Sequence, residues 1–120
     1  MNSQKIRNFK NLRIWQESIE LVEEIYRITK KFPKEELYGI VNQIRRSAVS
    51  LPSNIAEGFV RYHNKEFRQF LFIALASSAE VETQLIVSSK LKYITKQKLD
   101  ELSENIDKLN RMIMTLIKRL

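Results

Sequence analysis

A chain of 120 residues is one domain by length and buries about two thirds of the surface its unfolded form exposes. Its 21 Lys and Arg against 14 Asp and Glu leave a net charge of +7, which favours polyanions, nucleic acid first and an acidic protein or lipid surface next, although dispersed basic residues also serve solubility alone. The absence of cysteine excludes disulfides and thiolate metal sites, and two glycines with two prolines are too few for the turns of a multi-stranded sheet.

The opening "MNSQKIRNFK" lacks the apolar core of a signal peptide, and no apolar run near the length of a membrane span stands out. A cytoplasmic protein with no membrane partner is expected, with residues 1–8 as a flexible basic arm ahead of a single domain over residues 9–120.

The first periodic stretch is "NLRIWQESIELVEEIYRITKKF". Leu12, Trp15, Ile19, Val22 and Tyr26 recur at steps of three and four, and a second row, Ile14, Leu21, Ile25, Ile28 and Phe32, widens the stripe. Asn11 is placed to cap this helix, Lys30 and Lys31 suit its negative end, and Pro33 stops it.

A second helix is expected after Pro33, with Leu37, Ile40 or Val41, Ile44, Ala48, Leu51, Ile55 and Phe59 as its seam. That seam runs through "QIRRSAVSLPSNIAEG", residues 43–58. Pro52 removes a backbone donor and clashes one turn back, so this helix should be kinked near Pro52, opposite the small Ala48. Gly58 costs about 1 kcal/mol relative to alanine inside a helix, and it makes sense at a helix end or where another backbone comes close.

The third stretch, opened by Asn64 as a cap, is "KEFRQFLFIALASSAEVETQLIVSSKL". Between Phe70 and Ala76 it is apolar nearly all round, which predicts burial on more than one side. Three other helices hardly surround it, so Phe72, Leu75, Ala76 and Ala79 are expected at a subunit boundary. Ser77, Glu80 and Gln84 form a polar row on the same helix. A buried carboxylate needs a partner, and Arg45 or Arg46 is the natural one, with Glu57 taking the other. Gln43, Arg45, Arg46, Asn54, Glu57, Glu80 and Gln84 are thus expected to form a network between helices two and three or across subunits; the alternative is that both arginines face water.

The fourth stretch follows Thr95. Leu99, Leu102, Ile106, Leu109, Ile113, Leu116 and Leu120 alternate in steps of three and four, as in a coiled-coil seam. The three connections are short, so neighbouring helices should run antiparallel. The fold class is all-α: an up-down-up-down antiparallel four-helix bundle.

Several spaced motifs carry a family resemblance. They are Leu12 with Trp15 and Gln16; Phe32 and Pro33 with Glu36, Tyr38 and Gly39; Gln43 with Arg45 and Arg46; the run Ser53-Asn54-Ile55-Ala56-Glu57-Gly58; and Ser78 with Glu80 and Gln84. Across residues 9 to about 117 the chain resembles the 23S rRNA intervening-sequence proteins, also called S23-type four-helix-bundle proteins. The resemblance implies a bundle that assembles as a ring-like homo-oligomer, a pentamer, encoded in some members inside an inserted segment of a large ribosomal RNA gene. It implies fold and assembly, and it supplies no chemistry. Ser47 stands where the family often has alanine.

The residues themselves argue against an enzyme. His63 is the only histidine, in the polar turn "RYHNKE", with no nucleophile pattern beside it. A di-iron bundle wants Glu-x-x-His pairs, and the residue three before His63 is Val60. No catalytic residue, metal ligand or cofactor is expected. For nucleic acid, the candidates are Lys5, Arg7, Lys10 and Arg13 near the N-terminus; Arg61, Lys65 and Arg68, with His63, around the second turn; and Lys90, Lys92, Lys96 and Lys98 around the third. The expected mode is salt-sensitive recognition of backbone or shape, with Tyr62 and Tyr93 the aromatics exposed for stacking. The competing expectation is a protein–protein scaffold that never touches nucleic acid.

Overall fold

The computed structural model describes residues 7–120; Lys5 and most of the proposed arm lie outside the described residues. These residues form four α-helices and no strand: α1 (Arg13–Thr29), α2 (Ile40–Phe59), α3 (Asn64–Lys90) and α4 (Lys96–Arg119). Single 3-10 turns, Phe9–Asn11 and Lys34–Glu36, precede α1 and α2.

The first of these turns displaces the expected cap. Asn8, not Asn11, accepts a hydrogen bond from the Lys10 backbone N–H at 3.0 Å, and α1 then starts after Leu12 with no side-chain cap. Leu12 enters the core instead. Of the two apolar rows on α1, the second faces inward: Ile14, Leu21 and Ile25 are buried, while Trp15, Ile19 and Val22 are half-buried and Tyr26 is exposed. Ser18 and Thr29 complete the buried row. Their hydroxyls donate to the carbonyls of Trp15 and Ile25, each at 2.7 Å, so neither is buried unsatisfied.

On α2 the seam begins at Val41, because the 3-10 turn leaves Leu37 exposed. Ile44, Ala48, Leu51 and Ile55 are fully buried. Pro52 lies buried inside the helix, and its ring faces the turn carrying Ala48, where the absence of a larger side chain gives it room. α3 begins with His63 at its N-cap, without a side-chain cap bond, and Asn64 is the first helical residue rather than the cap. Thr95 caps α4, its Oγ1 accepting from the Lys98 N–H at 3.0 Å. Along α4 the seam is buried from Leu99 through Ile113, then passes to Ile117 with Leu116 at its edge. A helix of 3.6 residues per turn drifts away from a 3.5-residue repeat, and three heptads suffice to move the seam by one position.

Each helix packs on the next in sequence and α4 returns to α1, while the diagonal pairs do not approach. The α2–α3 pair is the most extensive. At its end, Gly58 is buried so close to α3 that a Cβ there would meet the Phe70 Cβ at 2.6 Å and Phe67 Cδ1 at 3.0 Å. Midway, the Ser50 and Ser77 hydroxyls share a 2.9 Å hydrogen bond.

α3 departs from expectation in two respects. Within one chain it buries a single stripe, Phe67, Leu71, Ala74, Ser78, Val81, Leu85 and Ser88 with Ser77, rather than two faces. Phe72, Ile73, Ile86, Val87 and Leu91 remain exposed. It also contains an 18-residue window of mean hydropathy 1.5, long and apolar enough to cross a membrane by composition, where the sequence pattern shows no span. The same composition marks a core helix of a bundle.

The tight α2–α3 approach generates a prediction. Gly58→Ala gains about 1 kcal/mol of helix propensity but forces α2 and α3 apart at a backbone-proximal contact, an overpacking cost of roughly 1–3 kcal/mol. The net expectation is a lower urea midpoint at unchanged m-value; a midpoint equal to or above the parent's would show that the helices yield freely.

Candidate nucleic-acid interface

The topology gathers basic helix ends at two poles of a molecule about 50 Å long. At the first pole, a cleft brings together Arg7, the α2–α3 turn and Leu120 at the end of α4. Arg61, Lys65 and Arg68 belong to this pole. So do Lys118 and Arg119, which the sequence reading missed because nothing in α4 alone says that its end meets the α2–α3 turn. Arg68 fixes that meeting: its Nη1 donates to the Leu120 carbonyl oxygen at 2.6 Å.

The second pole carries Lys90, Lys92, Lys96 and Lys98. The end of α1 joins it, since the Phe32 and Tyr93 rings lie 5.2 Å apart and the Tyr93 hydroxyl donates to Glu36 Oε2 at 2.7 Å. The adjacent carboxylate raises the Tyr93 phenol above its ordinary pKa, chiefly through that hydrogen bond. Lys30, Lys31 and Lys34 therefore add to this cluster. Tyr93 is engaged on both its ring and its hydroxyl, so it is not exposed as expected; Tyr62 is 77% exposed.

Several candidate cations already have carboxylate partners. Arg13 pairs with Glu17 at 3.3 Å, and Lys96 with Asp100 at 3.0 Å. Arg61 reaches Glu57 at 3.0 Å and Glu66 at 3.5 Å, with its guanidinium 4.9 Å over the Phe70 ring. Lys98 bridges Glu24 at 3.0 Å and Glu101 at 3.3 Å. Arg7, Lys10, Lys65, Lys90 and Lys92 enter no ion pair among the described residues. Lys92 and Tyr62 share a backbone oddity: with φ of 66° and 56° they occupy the left-handed region in their respective turns.

Between the poles the charge inverts. Glu17, Glu20, Glu23, Glu24 and Glu101 line a groove of about 380 Å³ between α1 and α4. Lys98 bridges two of these carboxylates, Glu24 and Glu101, and its hydrogen bond lowers the Glu24 carboxyl below its usual range, helped by the charges of Lys98 and Arg27 against the opposing effect of burial. In turn Glu24 and Glu101 raise the Lys98 ammonium above its ordinary value.

The polar row of α2 and α3 is arranged differently from the network expected between them. Arg45 does not reach Glu80. Its Nε donates to Thr29 Oγ1 at 2.9 Å and its guanidinium lies 4.5 Å over the Tyr26 ring, so it ties α2 to the end of α1. Glu80 is exposed and needs no buried counter-charge, and Glu57 finds its partner locally in Arg61. Asn54 Nδ2 donates to the Ser50 carbonyl at 2.8 Å and to Ser50 Oγ at 2.9 Å. Arg46, Gln43, Ser47, Ser50, Glu80 and Gln84 do share one open groove of about 520 Å³. Gln84 Oε1 is buried there with no hydrogen-bond partner. The periodicity placed these residues on adjacent faces correctly; the rotation of α3 that turns Glu80 outward left no trace in it. Phe72, Ala76 and Ala79 are exposed on that helix and Leu75 is half-buried. Among the described residues no three His, Cys, Asp or Glu side chains converge as metal ligands.

Residues 10–115 match the family model described as 23S rRNA-intervening sequence protein. Among solved structures, a protein with unknown function from the S23 ribosomal protein family of Bacteroides thetaiotaomicron superposes with a TM-score of 0.77 at 24% identity, covering 88% of this chain and 98% of that one. No curated protein matches the chain.

The Lys98–Glu24 bridge gives a pH-dependent expectation. Glu24 has a folded pKa below its unfolded one, so its contribution is complete above the unfolded carboxylate value and is lost as pH falls through the lowered folded value. For Lys98, with a raised folded pKa, the contribution is complete below the unfolded lysine value and lost as pH rises through the folded one. Because both groups are partly exposed, Lys98→Met should cost only about 0.5 kcal/mol near neutrality. The gap between parent and variant should close in acid below the folded Glu24 pKa, measured by urea unfolding across pH.

Proposed function

The chain belongs to the 23S rRNA-intervening sequence protein family, and from that membership we propose a non-enzymatic, self-associating helical bundle that binds RNA or another nucleic acid through the basic clusters at its helix ends. The observation that carries this reading is the segregation of charge. Basic side chains from different helices collect at the two poles, in excess of the carboxylates Glu57, Glu66, Glu36 and Asp100 beside them, while the α1–α4 groove between them is lined by five glutamates against one arginine, Arg27. A chain basic only for solubility has no need of such sorting. Clustered cations of one sign raise the local concentration of a polyanion and release its counterions on binding.

The reading takes the four helices as an up-down-up-down antiparallel bundle with a bend in α2 at Pro52. Supporting the antiparallel arrangement, Ser50 meets Ser77, Ser78 Oγ meets Asn110 Oδ1 at 2.8 Å, and Arg68 meets Leu120. Copies assemble as a ring of the pentameric kind through the outward face of α3 at Phe72, Leu75, Ala76 and Ala79. What favours assembly is a contiguous apolar surface on a helix whose inner stripe is already buried, with Phe72 51% and Ile73 46% exposed. In a ring, each pole repeats around the axis and its field adds. The protein works in the cytoplasm, and no membrane enters this account.

Two experiments test it. Titration with a structured RNA at several salt concentrations should give a steep loss of affinity with salt, the slope reporting the phosphates neutralised. The triple variant Lys65→Gln, Lys90→Gln, Lys92→Asn should lower that slope by roughly 1 per contacting lysine removed; Asn is chosen at position 92 because it tolerates positive φ. No binding at low salt would leave the scaffold reading in its place.

Mass measurement in solution should give a multiple of the 14.3 kDa chain. Phe72→Glu with Ala76→Glu should drive that mass to the monomer while leaving the helical circular-dichroism signal intact. A parent protein that is monomeric at high concentration would refute the assembly.

A further inference from the structure

At the first pole lies a cleft of about 590 Å³ that the charge argument does not use. Its size falls within the roughly 300–1,000 Å³ typical of small-molecule sites. Phe59 and Phe67 form its floor, their rings 5.8 Å apart and edge-to-face at 87°. Tyr62 stands as a wall, with its ring centroid 6.1 Å from that of Phe59, and Arg7, His63 and Asn64 are at the rim.

We infer that this cleft takes an unpaired nucleobase, stacked on Tyr62, with its phosphate held by Arg7 and Lys65. The inference rests on the nucleic-acid reading above and names the part of the ligand that this pole recognises.

Three features point to a flat, anion-linked ligand. First, the wall is an aromatic face left in water, with Tyr62 77% exposed above a floor of two further aromatics. Such a surface has π-faces to offer, and every nucleobase has one. Second, Tyr62 sits at φ 56°, a left-handed backbone conformation that asparagine or glycine would occupy with less strain. The left-handed turn is a common way to end a helix, shared by Lys92 after α3, but here it carries a large ring at some cost to the turn. Third, the rim is cationic and polar. Arg61, next in the chain to Tyr62, is bound to Glu57 and Glu66, which leaves Arg7 at the rim, and Lys65 beyond Asn64 in the first turn of α3, to meet a phosphate, and the Asn64 amide is available for a base edge.

The contrast with Tyr93 sharpens the assignment. That ring is packed on Phe32 and its hydroxyl is bound to Glu36, so it serves the fold. Tyr62 makes one aromatic contact, to Phe59, and its hydroxyl enters no hydrogen bond among the described residues.

The test compares the parent with Tyr62→Asn and Tyr62→Phe, using a short single-stranded oligoribonucleotide that carries 2-aminopurine. Asparagine relaxes the turn, so Tyr62→Asn should melt no lower than the parent. It should nevertheless bind about 5- to 150-fold more weakly, the loss of one base stack, and should lose the fluorescence quench of the stacked base. Tyr62→Phe should keep both. The salt slope should be the same in all three proteins, because no cation has been removed. A duplex of the same sequence should bind with no effect of Tyr62→Asn. If the single strand binds with a steep salt slope and Tyr62→Asn changes neither affinity nor quench, the cleft assignment is wrong and the charge reading stands. If the parent binds no RNA even at low salt, both fall.

Discussion

The close approach of α2 and α3 is the constraint on which the rest of the molecule depends. Gly58 admits the Phe70 backbone-proximal atoms, Ala48 and Ala74 are fully buried without bulk, and the Ser50–Ser77 hydroxyl pair crosses the interface where larger side chains would hold it open. Small residues at a helix crossing bring backbones together, and dispersion forces then act over many atom pairs at short range. The pair fixes the rotation of α3. Once Leu71, Ala74, Ser78, Val81 and Leu85 face inward, Phe72, Ile73, Ala76 and Glu80 have no choice but to face out.

Periodicity reveals which residues share a face, and on that question the chain was legible. The α4 seam from Leu99 to Ile113 and the α2 seam from Ile44 to Ile55 are as the spacing indicates. Periodicity is silent on which of two apolar faces wins. On α1 the row with Ile14, Leu21 and Ile25 is inward because Ser18 and Thr29 can return their hydroxyls to the preceding turn, so polar letters stand in a core register. Asn11 and Asn64 mislead in a related way. Each is a good cap by type, yet a 3-10 turn ending at one and an extended His63 before the other move the boundary by one residue.

The candidate site was legible as a set of basic turns and not as two poles. Lys118 and Arg119 join Arg7 and Tyr62 only through the return of α4 to the α2–α3 turn, a tertiary fact held by Arg68 on the Leu120 carbonyl. Arg45, one of the two arginines expected to partner the polar row, turns to α1 for an equally physical reason. A guanidinium near a polar row looks like a partner for its carboxylate, but Arg45 gains a planar aromatic face and a hydroxyl acceptor on α1 without desolvating any carboxylate. Glu80, given water, needs nothing from it.

An exposed apolar helix face can be satisfied by lipid, by a different partner or by a copy of itself, and the residues interleaved on α3 discriminate among these. Glu80 and Thr83 lie on the outward side, and Glu82 and Gln84 flank it. A lipid-facing helix would carry the carboxylates into hydrocarbon, at about 2.5–3.5 kcal/mol for an acidic residue at mid-helix. A protein interface places them at a wet rim around an apolar centre, the arrangement normal for such surfaces. The groove beside that face holds both Arg46 and Glu80, so it presents each charge together with the complement of the other. A surface of that kind fits another copy of itself without needing a partner of special charge, which is why self-association is the reading proposed for the face of α3. The Gln84 side-chain oxygen, buried in the same groove without a partner, is then an acceptor for which an incoming subunit would supply the donor.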